Sequence, residues 1–83
     1  MTRQEVTVSN GTGLESKKAA LFIQNASRFK SSIWIEKGER KANAKSLLGV
    51  MSLSIANGTR IILAADGEDE QQALEALAIY LSS

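Results

Sequence analysis

Two short runs gather most of the side chains that could do chemistry in this sequence. Gly13-Leu14-Glu15-Ser16-Lys17-Lys18 sets a carboxylate, a hydroxyl and two ammonium groups side by side. Asn43-Ala44-Lys45-Ser46-Leu47-Leu48-Gly49-Val50-Met51 places a second hydroxyl between a cation and an apolar stretch. Neither histidine nor cysteine occurs anywhere in the chain. The commonest general base, imidazole and thiolate metal ligands, and disulfides are therefore excluded. No Gly-x-x-x-x-Gly-Lys run cradles a phosphate. The chemistry left is charge recognition and modification of a hydroxyl, so no enzyme activity, cofactor or metal is expected.

Each of these residues has a structural and a functional reading. Glu15 is either a solvated carboxylate, gaining about 0.3–1 kcal/mol from the helix dipole that follows it, or a fixed negative charge shown to a partner. An acyl phosphate on it is chemically possible, but nothing in the sequence calls for one. Lys17 and Lys18 stand in a first helical turn, against the dipole. They are ordinary exposed lysines or a small basic site for a carboxylate or phosphate. Ser46 is placed to cap a helix by accepting from the amide of Leu48 or Gly49, worth about 1 kcal/mol, and a phosphate there would meet a helix N-terminus, which favours anions. Leu47, Leu48 and Met51 crowd a helix barely two turns long, which can bury only some of them.

The elements that must hold these runs follow from periodicity. Val6 and Val8 alternate with polar residues as a half-buried strand, broken at Asn10-Gly11-Thr12-Gly13. Ser16 is placed to cap a helix whose Ala19, Phe22, Ile23 and Ala26 face the core, with Gln24, Ser27 and Arg28 opposite and Phe29 closing its end. Ile33 and Ile35 share one face of a strand and Trp34 takes the other. Lys37-Gly38-Glu39 turns the chain into a short antiparallel partner over 40–43. A short helix follows Ser46, Asn57-Gly58 is a turn, and 59–65 is a strand with Ile61 and Leu63 inward. Glu68 or Asp69 caps a last helix with Ala73, Leu74, Leu77 and Leu81 on one face. The order is β-α-β-β-α-β-α, an α+β open-faced sandwich with three helices on one face of a four-stranded antiparallel sheet.

Eighty-three residues suit one domain over 1–83. Ten basic against nine acidic residues leave a net charge of +1, too little to favour nucleic acid or an anionic membrane. No apolar run is long enough to span a bilayer and no signal-peptide stretch opens the chain, so a cytoplasmic protein is expected.

Three stretches carry a resemblance to the HPr family of phosphocarrier proteins. Gly13-Leu14-Glu15-Ser16-Lys17-Lys18-Ala19-Ala20 resembles that family's active-site turn and helix start, where Gly-Leu-His-Ala-Arg-Pro-Ala is typical. Asn43 to Leu53 resembles its regulatory-serine segment. Gly67-Glu68-Asp69-Glu70-Gln71-Gln72-Ala73-Leu74 is similar to its final strand-to-helix turn. Glu15 stands where the phosphoryl-accepting histidine would be, as in the family's histidine-less catabolite-repression branch (Crh), and Lys17 and Lys18 replace arginine and proline. The resemblance implies phosphorylation of Ser46 by HPr kinase/phosphorylase and a partner-facing set of Glu15, Lys17, Ala20, Gln24, Leu47, Leu48 and Met51. It lets Glu15 be read as an imitation of phosphohistidine. The partner implied is a transcription factor like catabolite control protein A or, without phosphorylation, a metabolic enzyme. The expected state is a monomer or a weak or swapped dimer, with the first strand exchanged through Asn10–Gly13.

Overall fold

The computed structural model describes residues 1–82. Four strands, β1 (Thr2–Thr7), β2 (Ser32–Lys37), β3 (Arg40–Asn43) and β4 (Arg60–Asp66), and three helices, α1 (Ser16–Ser27), α2 (Leu47–Ser52) and α3 (Glu70–Leu81), follow in the order β-α-β-β-α-β-α. The strands form one antiparallel sheet in the spatial order β1-β4-β2-β3. Alternation along each strand decides which face is covered. Val6, Ile33, Ile35, Ile61, Leu63 and Ala65 point to one side and pack with Phe22 and Ala26 of α1, Val50 of α2 and Leu74, Leu77 and Leu81 of α3. Trp34, Ile62 and Ala64 fall on the other face, where Arg3 and Glu36 pair at 2.7 Å. All three helices thus lie on one face, as the hydrophobic patterns require. No helix among the described residues is long and apolar enough to cross a membrane.

The helix ends depart from the sequence reading in two places. Ser16 does not cap α1. Glu15 occupies the cap position in extended conformation (φ −121°, ψ 146°), and no side chain caps the end. Ser16 is instead the first helical residue, at φ +43°. The Glu15 carbonyl closes the turn by accepting from the amides of Lys18 and Ala19. The chain enters along a path fixed by the amide of Leu14 donating to the carbonyl of Ile55 at 2.9 Å, which sets Ser16 one residue past the cap position.

Neither Glu68 nor Asp69 caps α3 through its side chain either. Asp69 sits at the cap position, but its carboxylate reaches across to the α1–β2 connection. It accepts from the amides of Lys30 (2.8 Å) and Ser31 (3.0 Å) and from the Ser31 hydroxyl. Three donors outside the helix outweigh one orphan amide inside it. Glu70 serves the turn instead, accepting from the Gly67 amide at 3.1 Å and from the Thr2 hydroxyl. The last strand also runs one residue later than the alternation of 59–65 suggested, over Arg60–Asp66.

These contacts set an acid limit to stability. The Ser31 hydroxyl and the Lys30 amide hold Asp69 below the usual carboxylate range, and the Thr2 hydroxyl and Gly67 amide do the same for Glu70. A carboxyl with a lowered folded-state pKa contributes stability that is fully present above its unfolded value, about 4, and is lost as pH falls through the folded value. The urea midpoint is expected to stay nearly flat from neutral pH down to about 5 and to fall below about 4. Asp69→Asn should lower the midpoint at neutral pH and flatten that acid slope; an unchanged slope would remove Asp69 from the account.

Candidate phosphorylation and docking site

The Gly13–Lys18 turn is built by backbone constraints on its N-terminal side. Asn10 Oδ1 accepts from the amides of Thr12 (3.2 Å) and Gly13 (2.8 Å), and Asn57 Oδ1 accepts from the amide of Gly11 at 2.9 Å. Gly13 is buried at φ +75°, and a Cβ there would stand 2.5 Å from the carbonyl oxygen of Ile55. The turn is thereby pressed against the segment that follows α2. Glu15 and Lys17 end up exposed. With Thr12, Ser16, Lys18 and Leu21 they line a shallow cleft of about 460 Å³. No ion pair joins Glu15 to Lys17 or Lys18 among the described residues; Glu15 and Lys17 face solvent and Lys18 is half-buried. Lys17, Ala20 and Gln24 form an exposed stripe on α1, one turn apart along its outer side.

Ser46 caps α2, and of the two candidate donors it is the Gly49 amide that bonds its Oγ, at 3.1 Å. A Cβ on Gly49 would lie 3.2 Å from that oxygen, so glycine keeps the approach to the hydroxyl open. α2 buries Val50 completely, and Leu53 just beyond it is also in the core. The same short helix leaves Leu47 44 %, Leu48 83 % and Met51 43 % exposed. That is the surplus of apolar residues expected from so short a helix. Met51→Ala is expected to cost under about 1 kcal/mol, whereas Leu53→Ala costs about 2–5 kcal/mol. Urea unfolding of the two variants checks this, and equal losses would place Met51 in the core.

Residues not singled out from the sequence complete the site. Leu21 is partly exposed and lines the Glu15–Lys17 cleft. Its signal was an apolar residue one turn after Lys17, off the core stripe of α1. Lys45 and Lys37 hold α2 from both ends. Lys45 Nζ donates to the carbonyls of Phe29 (2.8 Å) and Ser31 (2.9 Å), and Lys37 Nζ to those of Leu53 (2.9 Å) and Ser54 (3.0 Å). Basic residues near the end of a helix satisfy its last carbonyls; Lys37 does this for α2 from another strand, and Lys45 ties the start of α2 to the α1–β2 connection, pairings that periodicity cannot show. Among the described residues no group of histidine, cysteine and carboxylate side chains could hold a metal.

Comparison with known proteins agrees with this geometry. The family model for the PTS HPr component phosphorylation site matches residues 2–83. The chain is 52 % identical over 81 residues to the HPr-like protein Crh of Bacillus subtilis, covering 98 % of this chain and 95 % of that one. The HPr-C-His structure from Thermoanaerobacter tengcongensis superposes with a TM-score of 0.95 at 44 % identity, covering all of this chain and 93 % of the other. The crystal structure of Bacillus subtilis Crh, a dimer that swaps a domain between copies, matches with a TM-score of 0.78 at 52 % identity over 98 % of this chain and 93 % of that one. The exposed turn before α1, the capping serine before α2 and the match along the whole chain together place this protein in the HPr family, as a member without histidine.

Proposed function

We propose that this chain is a regulatory protein of carbon catabolite repression, acting in the cytoplasm by binding rather than by catalysis, and switched by phosphorylation of Ser46. The observation that carries the reading is a half-exposed serine hydroxyl at the start of α2, beside the exposed side chains of Leu47, Leu48 and Met51. Its support is the 52 % identity to a catabolite-repression relative. HPr kinase/phosphorylase would transfer a phosphoryl group to Ser46, and a regulator like catabolite control protein A would bind the product. The dianion sits where orphan helix amides favour it. Glu15, Lys17, Ala20 and Gln24 extend the contact surface along α1. Incubation with an active HPr kinase and ATP, read by intact mass, tests the reading. Addition of one phosphate supports it; no addition, while an ordinary HPr is modified in the same tube, sinks it.

One observation favours a second reading. Leu48 is 83 % exposed, an apolar contact that a metabolic enzyme could use without any modification of Ser46. Leu48→Ala separates the two, since it should weaken such an enzyme's binding whether or not Ser46 is modified. The pairing of β1 with β4 at the sheet edge, after which Gly11 and Gly13 both take positive φ, suits exchange of β1 between two copies. Monomer and swapped dimer are accordingly the two states proposed.

Phosphoryl relay is not among the proposed activities. With no histidine to form a phosphoramidate, enzyme I of the phosphotransferase system and phosphoenolpyruvate should leave no acid-labile phosphate on this chain. Glu15→His with Lys17→Arg is the change expected to restore uptake.

A further inference from the structure

We propose that the open face of the sheet binds a small planar aromatic anion, of the size of a nucleoside monophosphate, in a cleft between β2 and the β3 edge. This cleft ends beside Ser46, whose amide donates to the Asn43 carbonyl at 3.1 Å, but it does not rest on that serine being modified. The helices all cover the opposite face, so no helix lies over Trp34 among the described residues, and the side chain over its ring is that of Lys41. The cleft measures about 330 Å³, at the lower end of the range of about 300–1,000 Å³ typical of small-ligand sites. Ser32, Trp34, Lys41, Ala42, Asn43 and Lys45 line it, and no carboxylate does.

The lining fixes the ligand's chemistry. Trp34, the only tryptophan in the chain, is half-buried and offers an indole ring. Lys41 Nζ lies 4.5 Å from its ring centroid and has no carboxylate partner among the described residues. It therefore leaves an ammonium beside an aromatic surface, a pairing that accepts a ring and a negative charge together. Lys45 Nζ is tied to two carbonyls but adds its positive charge to the same wall. Asn43 Oδ1 accepts from the Lys45 amide at 2.8 Å, which leaves the side-chain NH₂ as a donor, and Ser32 adds a hydroxyl. Glu36, the cross-strand partner of Lys41 on this face, is taken up by Arg3 at 2.7 Å, so donors and cations dominate the cleft wall and an anion is the complementary ligand. The volume limits it to one ring system with one charged group. Because β3 is the edge opposite β1, exchange of β1 between copies would leave the cleft in place.

Titration of the full chain with AMP, followed by amide NMR shifts and by the fluorescence of Trp34, tests the site. The expected result is saturable shifts confined to 32–34 and 41–45. Adenosine and inorganic phosphate, each carrying half of the chemistry, should bind about tenfold more weakly. Lys41→Gln, a change on an exposed side chain, should weaken AMP about fivefold, and Trp34→Phe, read by NMR, should weaken it while keeping the fold. Scattered or non-saturating shifts overturn the proposal. So does phosphate alone reproducing the AMP effect, or a Lys41→Gln variant that binds as the parent does.

Discussion

Ser46→Ala is expected to abolish phosphate uptake from HPr kinase/phosphorylase completely while costing the fold only the cap bond, about 0.5–2 kcal/mol. The two effects separate because the hydroxyl does two jobs. Its Oγ accepts from the Gly49 amide at 3.1 Å, and the same oxygen is the proposed phosphoryl acceptor. Ser46→Asp keeps an acceptor at the cap, so its stability should match the parent, but it supplies one negative charge where phosphoserine supplies nearly two. Its affinity for the regulator should lie between the unmodified and phosphorylated forms. Intact mass, urea unfolding and a binding titration measure the three quantities. Phosphate still appearing on Ser46→Ala would move the modification to another hydroxyl and separate the regulation from α2.

Gly13→Ala should be a severely damaging addition of a single methyl. The residue takes φ +75°, where any side chain costs about 1–2 kcal/mol. The new Cβ would also stand 2.5 Å from the Ile55 carbonyl oxygen and 2.8 Å from the Ala56 Cα. Both neighbours are backbone, so neither can swing away as a side-chain tip would. The expected loss is about 2–4 kcal/mol, a fall in Tm of at least about 10 °C for a domain this size. Gly11→Ala is the control, because it shares a positive φ (+93°) but meets nothing within 4 Å. It should lose only the conformational part. Equal losses from the two variants would show that the close approach to Ile55 does not matter.

Much of the fold was legible because its determinants are local. The Ile33/Trp34/Ile35 alternation set the two faces of β2, and Ala73, Leu74, Leu77 and Leu81 marked the buried stripe of α3. Ser46 was readable as a cap because it directly precedes its helix. The misread helix starts share one cause. Asp69 looks like a cap from its neighbours, yet its partners, Lys30 and Ser31, are far away in sequence. Ser16 was displaced by a backbone path set against Ile55. The tethers from Lys37 and Lys45 were invisible for the same reason. The candidate site divides likewise: the exposed surplus on α2 followed from its length, whereas Leu21 joined the Glu15–Lys17 cleft only once α1 had a definite orientation.

The pairing of β1 with β4 has a consequence for how the protein is made. The strand translated first, Thr2–Thr7, has its hydrogen-bonding partner in Arg60–Asp66, and the Ser9 amide donates to the carbonyl of Leu81, near the end of the chain. At roughly 5–20 residues per second, Arg60 follows Thr7 by about 3–10 s of synthesis. Through that interval the first strand has no intramolecular partner. On a crowded messenger, neighbouring nascent chains present the same unpaired strand at the same stage. The ratio of closed to strand-exchanged molecules should therefore depend on expression rate, slow translation at low copy number favouring the closed form.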